Sequence, residues 1–315
     1  MKLVKNMNLF TNEKHYNTLN NYYKTKYNKK VYKIPLNGGF TCPNIDGTVA
    51  TGGCTFCSYM GSGDFAGNKF DPLSVQFQAG KEMMIKKWGE GLYIPYFQAN
   101  TNTHAKLAKL KQLFEEAITL DKDNIMISIA TRADSLDEEK ILYLAELNKK
   151  MPVQIELGLQ TIYDKTANLV NRGHNLETFT KTVLELQKHN FDIVVHIING
   201  LPFETKEMMV ETAKYVNSLG VSGIKIHMLH IMEKTKMGYD YKRNPWELLT
   251  LKEYVDITVE QLRHLNKNMI IHRLTGDAPK EMLIEPNWTL KKFVVLNEID
   301  KLMRKNKYYQ GDLCA

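Results

Sequence analysis

The sequence predicts an α/β protein built from parallel strand–helix units. Short apolar runs alternate with amphipathic segments, and several of the runs are apolar without interruption, as in strands that are buried on both faces. Strand, helix and strand in this rhythm form right-handed parallel units. Six such strands fit an incomplete (β/α)6 TIM-like barrel, and they are predicted at residues 31–35, 92–97, 125–130, 153–159, 191–198 and 221–230.

Helical segments lie between these strands, and three of them show one apolar stripe at helical spacing. The stripes are Leu107, Leu110, Phe114 and Ala117; Ile141, Leu144 and Ala145; and Phe179, Val183 and Leu186. Two residue pairs have the spacing of a capping box, Ser135 with Glu138 and Thr250 with Glu253. Each pair predicts the start of a helix.

The barrel is expected at residues 31–237, between an N-terminal extension at 1–30 and a C-terminal extension at 238–315. Tyrosines and lysines alternate where the N-terminal extension meets the barrel, at residues 20–33. Such a segment could stack bases and contact phosphates. The alternative is a helix with a solvated face that leads into the first strand.

Three of the four cysteines lie in one glycine-rich loop after the first predicted strand. Eleven residues separate Cys42 from Cys54, and two separate Cys54 from Cys57. A cubic iron–sulfur cluster accepts three thiolates and leaves one iron open for a small molecule. Structural zinc takes four protein ligands, and the loop supplies three cysteines. The sequence therefore favours a cluster, with zinc as the alternative.

The Cys-x-aromatic-Cys ending of this loop, formed by Cys54, Thr55, Phe56 and Cys57, resembles the radical S-adenosylmethionine superfamily. The long spacing after Cys42 is similar to that of the elongator-like short branch, which includes the MnmL-type proteins of tRNA wobble-uridine modification. The resemblance covers nearly the whole chain. It implies a partial TIM-like barrel, a 4Fe-4S cluster held by the three cysteines, and S-adenosyl-L-methionine bound at the open iron.

The ends of the strands carry the other residues of the resemblance, because functional groups of a parallel barrel lie at the carboxyl ends of its strands. Thr131-Arg132-Ala133-Asp134 is similar to the Thr-Arg-x-Asp turn of elongator-like relatives, with an ion pair of Arg132 and Asp134 as the structural alternative. The resemblance implies cofactor contacts from Phe56, Thr131, Arg132, Gln160 and Arg172. Asn100 and Thr101 lie where the family commonly has a glycine-rich acidic segment, and their amide and hydroxyl groups could accept hydrogen bonds from the cofactor's ammonium group instead.

The substrate wall is predicted from two segments near the mouth of the barrel. Lys225 and His227 lie on the same face of the sixth strand. Arg273, Asp277 and Lys280 lie in and beside a loop that Gly and Pro interrupt after a short strand. These side chains could receive an anionic or nucleotide substrate. A structural turn held by Asp277 is the alternative.

The charge balance of the 315-residue chain favours an anionic partner. Lys and Arg number 42 against 35 Asp and Glu, which gives a net charge of +7. No run of eighteen apolar residues occurs, and the polar start lacks the apolar core of a signal peptide. Three clustered cysteines do not form an extracellular disulfide framework. A cytoplasmic location is therefore expected, with no membrane association.

The branch resembled implies that the substrate is tRNA with a modified wobble uridine. The expected reaction abstracts a hydrogen from a carboxymethylaminomethyl-type side chain, on the way to aminomethyl or methylaminomethyl uridine. The cofactor performs the difficult step, so no side chain is assigned as a catalytic base. Expected partners are tRNA, an electron donor such as flavodoxin or ferredoxin, and a functionally coupled tRNA methyltransferase. The alternatives are a radical oxidase or lyase for a small metabolite such as a porphyrin precursor, and a zinc-stabilised RNA-binding protein.

Overall fold

The computed structural model describes residues 9–58, 60–61 and 63–314, so the first eight residues of the predicted N-terminal extension lie outside the described residues. The strands in this part of the chain are β1 (Val31–Leu36), β2 (Leu92–Phe97), β3 (Ile127–Thr131), β4 (Val153–Gln160), β5 (Asp192–Asn199), β6 (Gly223–Met228), β7 (Ile231–Met232), β8 (Ile270–Arg273) and β9 (Leu283–Glu285). The α-helices are α1 (Leu19–Tyr27), α2 (Leu73–Trp88), α3 (Leu107–Thr119), α4 (Glu138–Lys150), α5 (Asp164–Leu169), α6 (Leu176–Lys188), α7 (Lys206–Ser218), α8 (Lys236–Arg243), α9 (Leu251–His264) and α10 (Lys292–Asn306). None of these helices has the length and apolar content needed to cross a bilayer.

One parallel sheet organises the described residues, with the strand order β1-β2-β3-β4-β5-β6-β8. The sheet is a partial barrel with β1 and β8 at its edges. The α/β class and the six predicted strands are confirmed. A seventh strand, β8, joins β6 in parallel and belongs to the stretch predicted as the C-terminal extension. Strands β7 and β9 form a separate antiparallel pair.

The two faces of the sheet differ in polarity. On the outer face the helices bury the predicted apolar stripes, and Leu110, Phe114 and Phe179 are fully buried there. Side chains alternate along β4, so Ile155 and Leu157 join this core while Glu156 points into the lumen of the barrel. The outer packing stabilises the fold through apolar burial, and the inner face is left for polar groups.

Helix α1 closes the gap between the two edges of the sheet at the amino ends of the strands. Thr18, just before this helix, forms a parallel bridge with Ile271 in β8. Tyr23 is 5% exposed and packs with Ile94 and Met126. Its ring is therefore part of the core, as the structural alternative for the tyrosine-rich segment predicts, while the neighbouring lysines remain exposed.

One of the two predicted capping boxes is present. Thr250 accepts the N–H of Glu253, and the Glu253 carboxylate accepts the N–H of Thr250 at 2.8 Å, so this prediction is confirmed. The prediction for Ser135 was wrong, because Asp137 caps α4 by accepting the N–H of Lys140 at 2.9 Å. An aspartate two residues downstream provides an equally good cap, and Ser135 lies in a short 3-10 turn instead.

Candidate active site

The three clustered cysteines lie in the loop that follows β1 at the carboxyl edge of the sheet. The carbonyl of Cys42 accepts the N–H groups of Ile45 and Asp46, at 2.8 and 3.1 Å, and so forms a turn. The N–H of Cys57 donates to the carbonyl of Cys54 at 3.0 Å. These bonds form two local turns, and the N–H of Gly53 joins them by donating to the carbonyl of Asn44 at 2.8 Å.

Asn44 connects this loop to the segment after β4. Its Nδ2 donates to the carbonyls of Asn171 and Arg172, at 2.6 and 2.9 Å, and lies 3.6 Å from the sulfur of Cys54. The side chain is fully buried, and its Oδ1 is an acceptor with no hydrogen-bond partner among the described residues. An unpaired buried acceptor is costly, so this place is suited to a further polar group.

Positive charge lies beside the cysteines. Burial raises the pKa of Cys54 to about 11, and the nearby guanidinium of Arg132 acts in the opposite direction. A thiol that binds a metal is deprotonated, so metal binding must offset the cost of forming a buried thiolate. Arg132 and the second guanidinium, that of Arg172, favour the thiolate form. The electrostatics therefore suit a negatively charged metal–thiolate centre.

Both guanidinium groups are held firmly by the protein. Arg132 makes two hydrogen bonds to Asp134, at 2.9 and 2.6 Å, which is the ion pair named as its structural alternative, and its Nη1 donates to the carbonyl of Arg172 at 2.6 Å. Arg172 is 1% exposed, and its three nitrogens donate to Asp164 and to the carbonyls of Leu159, Thr161 and His174. Arg172 fixes the end of β4, and cofactor contacts from either arginine stay predictions.

The other predicted cofactor residues lie at the same edge of the sheet. Asn100 lies shortly after β2, and Gln160 is the last residue of β4. Both have a φ of +61°. The buried N–H of Thr101 donates to Thr41 beside the first cysteine, at 3.2 Å, and the hydroxyl of Thr131 lies 2.6 Å from that of Thr103. Positive φ in two non-glycine residues indicates a backbone held in place by its surroundings. Their contact with a cofactor stays a prediction.

Phe56, inside the Cys-x-aromatic-Cys ending, is half-buried. It packs against a small apolar cluster that includes Val170, Leu201 and Met237. The neighbouring Thr55 exchanges backbone hydrogen bonds with this cluster, because its N–H donates to Val170 and its carbonyl accepts from Met237, at 2.9 and 2.8 Å. The cluster thus anchors the loop, and contact of Phe56 with a cofactor stays a prediction.

The lumen of the barrel holds a polar cluster, and of its members only Lys225 was predicted as a site residue. Its centre is Glu156 in β4, which is 1% exposed. Five donors from five strands surround its carboxylate: Lys33, Tyr96, Ser128, His196 and Lys225. Burial alone would raise the pKa of Glu156, but the charges of Lys225 and Lys33 hold it well below its ordinary value. The carboxylate is therefore ionised, and an acidic residue inside an otherwise apolar strand was the signal that could have identified it.

The predicted substrate residues lie on β6, at the end of β8 and in the segment that follows β8. Lys225 donates to Glu156 at 2.6 Å, and His227 follows it on the same face of β6. At the end of β8, Arg273 donates to Asp277 at 2.6 Å, and Asp277 also pairs with a lysine of α10. Asp277 therefore holds a turn, as its structural alternative predicts, and Lys280 beside that turn is exposed. Substrate contacts of these residues stay predictions.

Sequence comparison places this site in a known family. The Radical SAM superfamily model matches residues 45–216, more than half of the chain, and the Radical_SAM C-terminal domain matches residues 221–305. The chain belongs to the radical SAM superfamily. It is accordingly a radical SAM enzyme, and the cofactors of this family are a 4Fe-4S cluster and S-adenosylmethionine.

Two bacterial proteins share most of this radical SAM chain. YtqA of Bacillus subtilis is 48% identical over 299 residues, which cover 95% of this chain and 92% of YtqA. YhcC of Escherichia coli K12 is 31% identical over 283 residues, which cover 89% of this chain and 90% of YhcC. Both relatives are therefore similar over nearly their full lengths.

Longer proteins match this chain over only part of their own length. The tRNA uridine(34) acetyltransferase of Methanocaldococcus jannaschii is 23% identical over 164 residues, which cover 51% of this chain and 30% of that protein. Among solved structures, Elp3 of Methanocaldococcus infernus gives a TM-score of 0.66 at 18% identity and covers 89% of this chain and 64% of its own. These matches agree with an elongator-like radical SAM branch, and the structural match shows the fold.

The residues of the loop fit the radical SAM cofactors. Three thiols with no fourth protein ligand are the donor set of a cluster with one open iron. Each cysteine then binds a different iron, so the sulfurs do not gather around one point. Correspondingly, the described residues contain no group of three His, Cys, Asp or Glu side chains placed to hold a single metal ion. Cys42, Cys54 and Cys57 would hold the cluster, with Asn44 and Arg132 beside it.

We expect Gly173→Ala to displace Asn44 and Arg132 from their positions beside the predicted cluster. Gly173 has a φ of +86°, and an added Cβ would lie 2.2 Å from Oδ1 of Asn44 and 2.9 Å from Nη2 of Arg132. Both side chains are fixed by hydrogen bonds, so they cannot move away cheaply. The matched control is Gly220→Ala, because Gly220 has a φ of +64° and no atom near the added Cβ.

Thermal unfolding and iron retention after reconstitution test this prediction. Both variants carry the cost of placing alanine at positive φ. Overpacking should destabilise Gly173→Ala by about 1–3 kcal/mol more than the control and lower its iron content. Equal melting temperatures and equal iron in the two variants would contradict the role given to this contact.

Proposed function

We propose that this radical SAM enzyme acts on tRNA with a carboxymethylaminomethyl group at the wobble uridine and leaves an aminomethyl group. When bound, the cluster and S-adenosylmethionine supply a 5′-deoxyadenosyl radical that removes a hydrogen atom from the substrate. In the balanced reaction, the substituent, S-adenosylmethionine and water give aminomethyluridine, glyoxylate, methionine, 5′-deoxyadenosine and a proton. The N–CH2 carbon loses two electrons, and S-adenosylmethionine accepts them as its sulfonium bond breaks.

The name of one similar protein supports a tRNA substrate. The tRNA uridine(34) acetyltransferase of Methanocaldococcus jannaschii matches 51% of this chain. By its name, that protein acts on uridine 34 of tRNA. We infer the same nucleoside position here. The priming electron would come from a flavodoxin or ferredoxin, and an aminomethyl product would suit a tRNA methyltransferase.

The observation that carries the proposal is a set of five exposed aromatic side chains in segments that follow strands or border the cysteine loop. These five residues are 57–83% exposed, and they are Phe65, Phe70, Phe203, Tyr239 and Phe293. Such segments lie at the mouth of a parallel barrel, so we infer that the five rings border the mouth, and we call them the aromatic rim. Exposed apolar side chains that lie together mark an interaction site. Unstacked bases of an RNA loop are partners that aromatic rings bind without requiring a fixed sequence.

Lysines accompany this aromatic rim. Lys69 lies over the ring of Phe70, with 5.1 Å between the ammonium and the ring centroid. Lys206, Lys280 and Lys291 are exposed in the neighbouring segments. Rings for bases and ammonium groups for phosphates are the two components of a single-strand binding surface. Binding through this rim should therefore weaken steeply as salt is added.

Nucleoside analysis of tRNA tests the proposed function directly. Cells without the gene should accumulate carboxymethylaminomethyl uridine and lose the aminomethyl and methylaminomethyl forms. Anaerobic reconstitution with S-adenosylmethionine and that tRNA should give 5′-deoxyadenosine, glyoxylate and the matching mass decrease in the RNA. An unchanged wobble-uridine profile, together with no mass change in the reconstituted reaction, would remove the proposal.

Phe203→Ala tests the aromatic rim. Phe203 lies in the segment that follows β5, and its side chain is 80% exposed. Its backbone has a φ of +66°. Loss of one stacked base should weaken tRNA binding by about 5- to 100-fold at fixed salt. The control is Leu184→Ala, because Leu184 is an exposed apolar residue on α6. Equal tRNA affinity of the two variants, measured by a filter or anisotropy titration, would argue against stacking at this rim.

A further inference from the structure

The lumen below the proposed tRNA surface carries an excess of positive charge. Glu156 is a single carboxylate, and the ammonium groups of both Lys33 and Lys225 donate to it. Buried charges are normally balanced, because an unpaired ion in a protein interior is costly. One further negative charge would complete the balance.

The two lysines differ in how fully they are bonded. Lys33 donates to Ser128 at 3.0 Å, to Gln154 at 2.5 Å and to Glu156, which uses all three of its hydrogens. Lys225 donates to Glu156 at 2.6 Å and makes only a long contact of 3.4 Å to the hydroxyl of Tyr96. In the described part of the chain, its third hydrogen has no acceptor. The Lys225 side chain is still 12% exposed, so a ligand that enters the mouth can reach it.

Unpartnered histidine nitrogens surround this ammonium group. Nε2 of His227, on the same face of β6, and both ring nitrogens of His272, in β8, are buried without a hydrogen-bond partner among the described residues. Burial and the nearby charges of Arg273 and Lys225 hold the pKa of His227 well below its ordinary value, so its ring is neutral. A neutral imidazole offers one N–H donor, and leaving it unpaired is unfavourable.

Arg273 in β8 supplies a further cation, because its backbone is the register partner of Lys225 in β6. It uses Nη2 to bind Asp277 and is 39% exposed, and its charge acts on Tyr96, Lys225 and His227. Lys225, His227 and Arg273 therefore form a cluster of donors on the adjacent strands β6 and β8. The group of Lys33, Glu156 and Lys225 by itself has an excess of one positive charge, which a carboxylate would neutralise. Burial lowers the pKa of Lys225 to about 8, and a bound anion would oppose that shift.

We propose that Lys225, His227 and Arg273 form an anion subsite that binds the carboxylate at the far end of the substrate's side chain. This inference rests on the proposed function for the identity of the substrate, but not for the chemistry of the subsite. Binding the carboxylate here would draw the side chain into the lumen and leave its N–CH2 group near the cysteine edge of the barrel. The subsite would also explain selection of the acid over the aminomethyl product, which lacks this carboxylate.

N-Methylglycine, which has the same end group, is the probe for the subsite. In the anaerobic holoenzyme, its titration should shift the imidazole ¹⁵N resonances of His227 in a saturable way. Uncharged N-methylglycinamide and inorganic phosphate should bind more weakly. Lys225→Gln should weaken binding of the acid by about 10- to 100-fold, the range for one charge-assisted hydrogen bond. The control is Lys181→Gln, because Lys181 lies on the outer side of α6 and pairs with a surface glutamate.

His227→Ala provides a second test of the subsite in case the Lys225→Gln variant does not fold. Nε2 of His227 has no partner among the described residues, so its removal breaks no hydrogen bond at that atom, and binding of the acid should still weaken. The inference is overturned if the amide or phosphate binds as tightly as the acid, or if folded Lys225→Gln and His227→Ala bind the acid like the parent enzyme. If the acid binds as expected but the tRNA nucleosides are unchanged, the subsite stands and the proposed tRNA substrate fails.

Discussion

Cys54→Ala is expected to abolish formation of 5′-deoxyadenosine from S-adenosylmethionine. Cys54 lies at the centre of the loop, with Asn44 beside its sulfur and Arg132 close enough to act on its pKa. A cluster that loses one of three thiolates has two irons without a protein ligand, so it should not survive purification. The parent protein should be brown under argon with roughly four irons per chain, and the variant should be nearly colourless.

Cys314→Ala is the matched control for this prediction. Cys314 is the fourth cysteine, and its sulfur accepts from Nδ2 of Asn217 at 3.3 Å, in the C-terminal tail. This variant should keep its iron and its activity, because the cluster needs only the loop. Iron analysis and single-turnover cleavage of S-adenosylmethionine measure both effects. Iron that persists in Cys54→Ala, or zinc in the parent protein, would contradict the assignment of the loop.

The elements that the sequence predicted well are those with a local signature. Apolar side chains recur at every second position from Val153 to Leu159, and the stripe with Phe179 and Val183 repeats at helical spacing. Both patterns involve only residues that are close in sequence, so they can be recognised without knowledge of the fold. The segment at Ile270 was likewise predicted as a strand. Its pairing with Gly223 in β6 was not, because a pairing partner is a long-range property of the chain.

The site was predictable where the chemistry requires particular side chains. Three cysteines in one loop have few uses other than binding metal, and the loop lies where the pattern predicted. Arg172 shows the limit of this reasoning, because its guanidinium donates to the carbonyls of Leu159 and Thr161. Any residue type provides a backbone carbonyl, so no sequence pattern reports such a partner.

The lumen cluster shows a second limit. Lys33, Glu156 and Lys225 are far apart in sequence, and each by itself is an ordinary charged residue in a strand. Their shared signal is a charge at an inward position of an otherwise apolar strand, which is informative only once three strands are compared. A lysine, a glutamate and a lysine at such positions must pair with one another, because none can be solvated fully, and one positive charge is then left unbalanced.

Glu156→Gln is expected to give the largest loss of stability of any single change in the lumen. The carboxylate is fully buried and holds Lys33 and Lys225, so its removal leaves two ammonium groups without a counterion. Breaking a buried pair in this way costs about 3–5 kcal/mol. For a domain of this size the melting temperature should fall by roughly 10 °C. Glu177→Gln is the control, and its exposed pair with Lys181 should leave the melting temperature unchanged.

The pH dependence of stability gives an independent measure of the same carboxylate. The pKa of Glu156 is held well below its ordinary value in the folded state, so the unfolded chain binds its proton at a higher pH. The stability that this group contributes is therefore present above about pH 4.5 and is lost as the pH falls through the folded pKa. Glu156→Gln should remove this part of the acid dependence. An acid profile parallel to that of the parent enzyme would show that other groups are responsible.

Coupling between Glu156 and Lys225 decides whether charge balance is the cause. If loss of the counterion destabilises Glu156→Gln, then Lys225→Met in the same chain should recover part of the loss, because one of the two unpaired cations is gone. The double variant should be more stable than the sum of the single changes by about 1–3 kcal/mol. If the losses in the free energy of unfolding, measured with denaturant, are additive, Glu156 acts through packing instead. The excess charge that the carboxylate subsite requires would then have no energetic support.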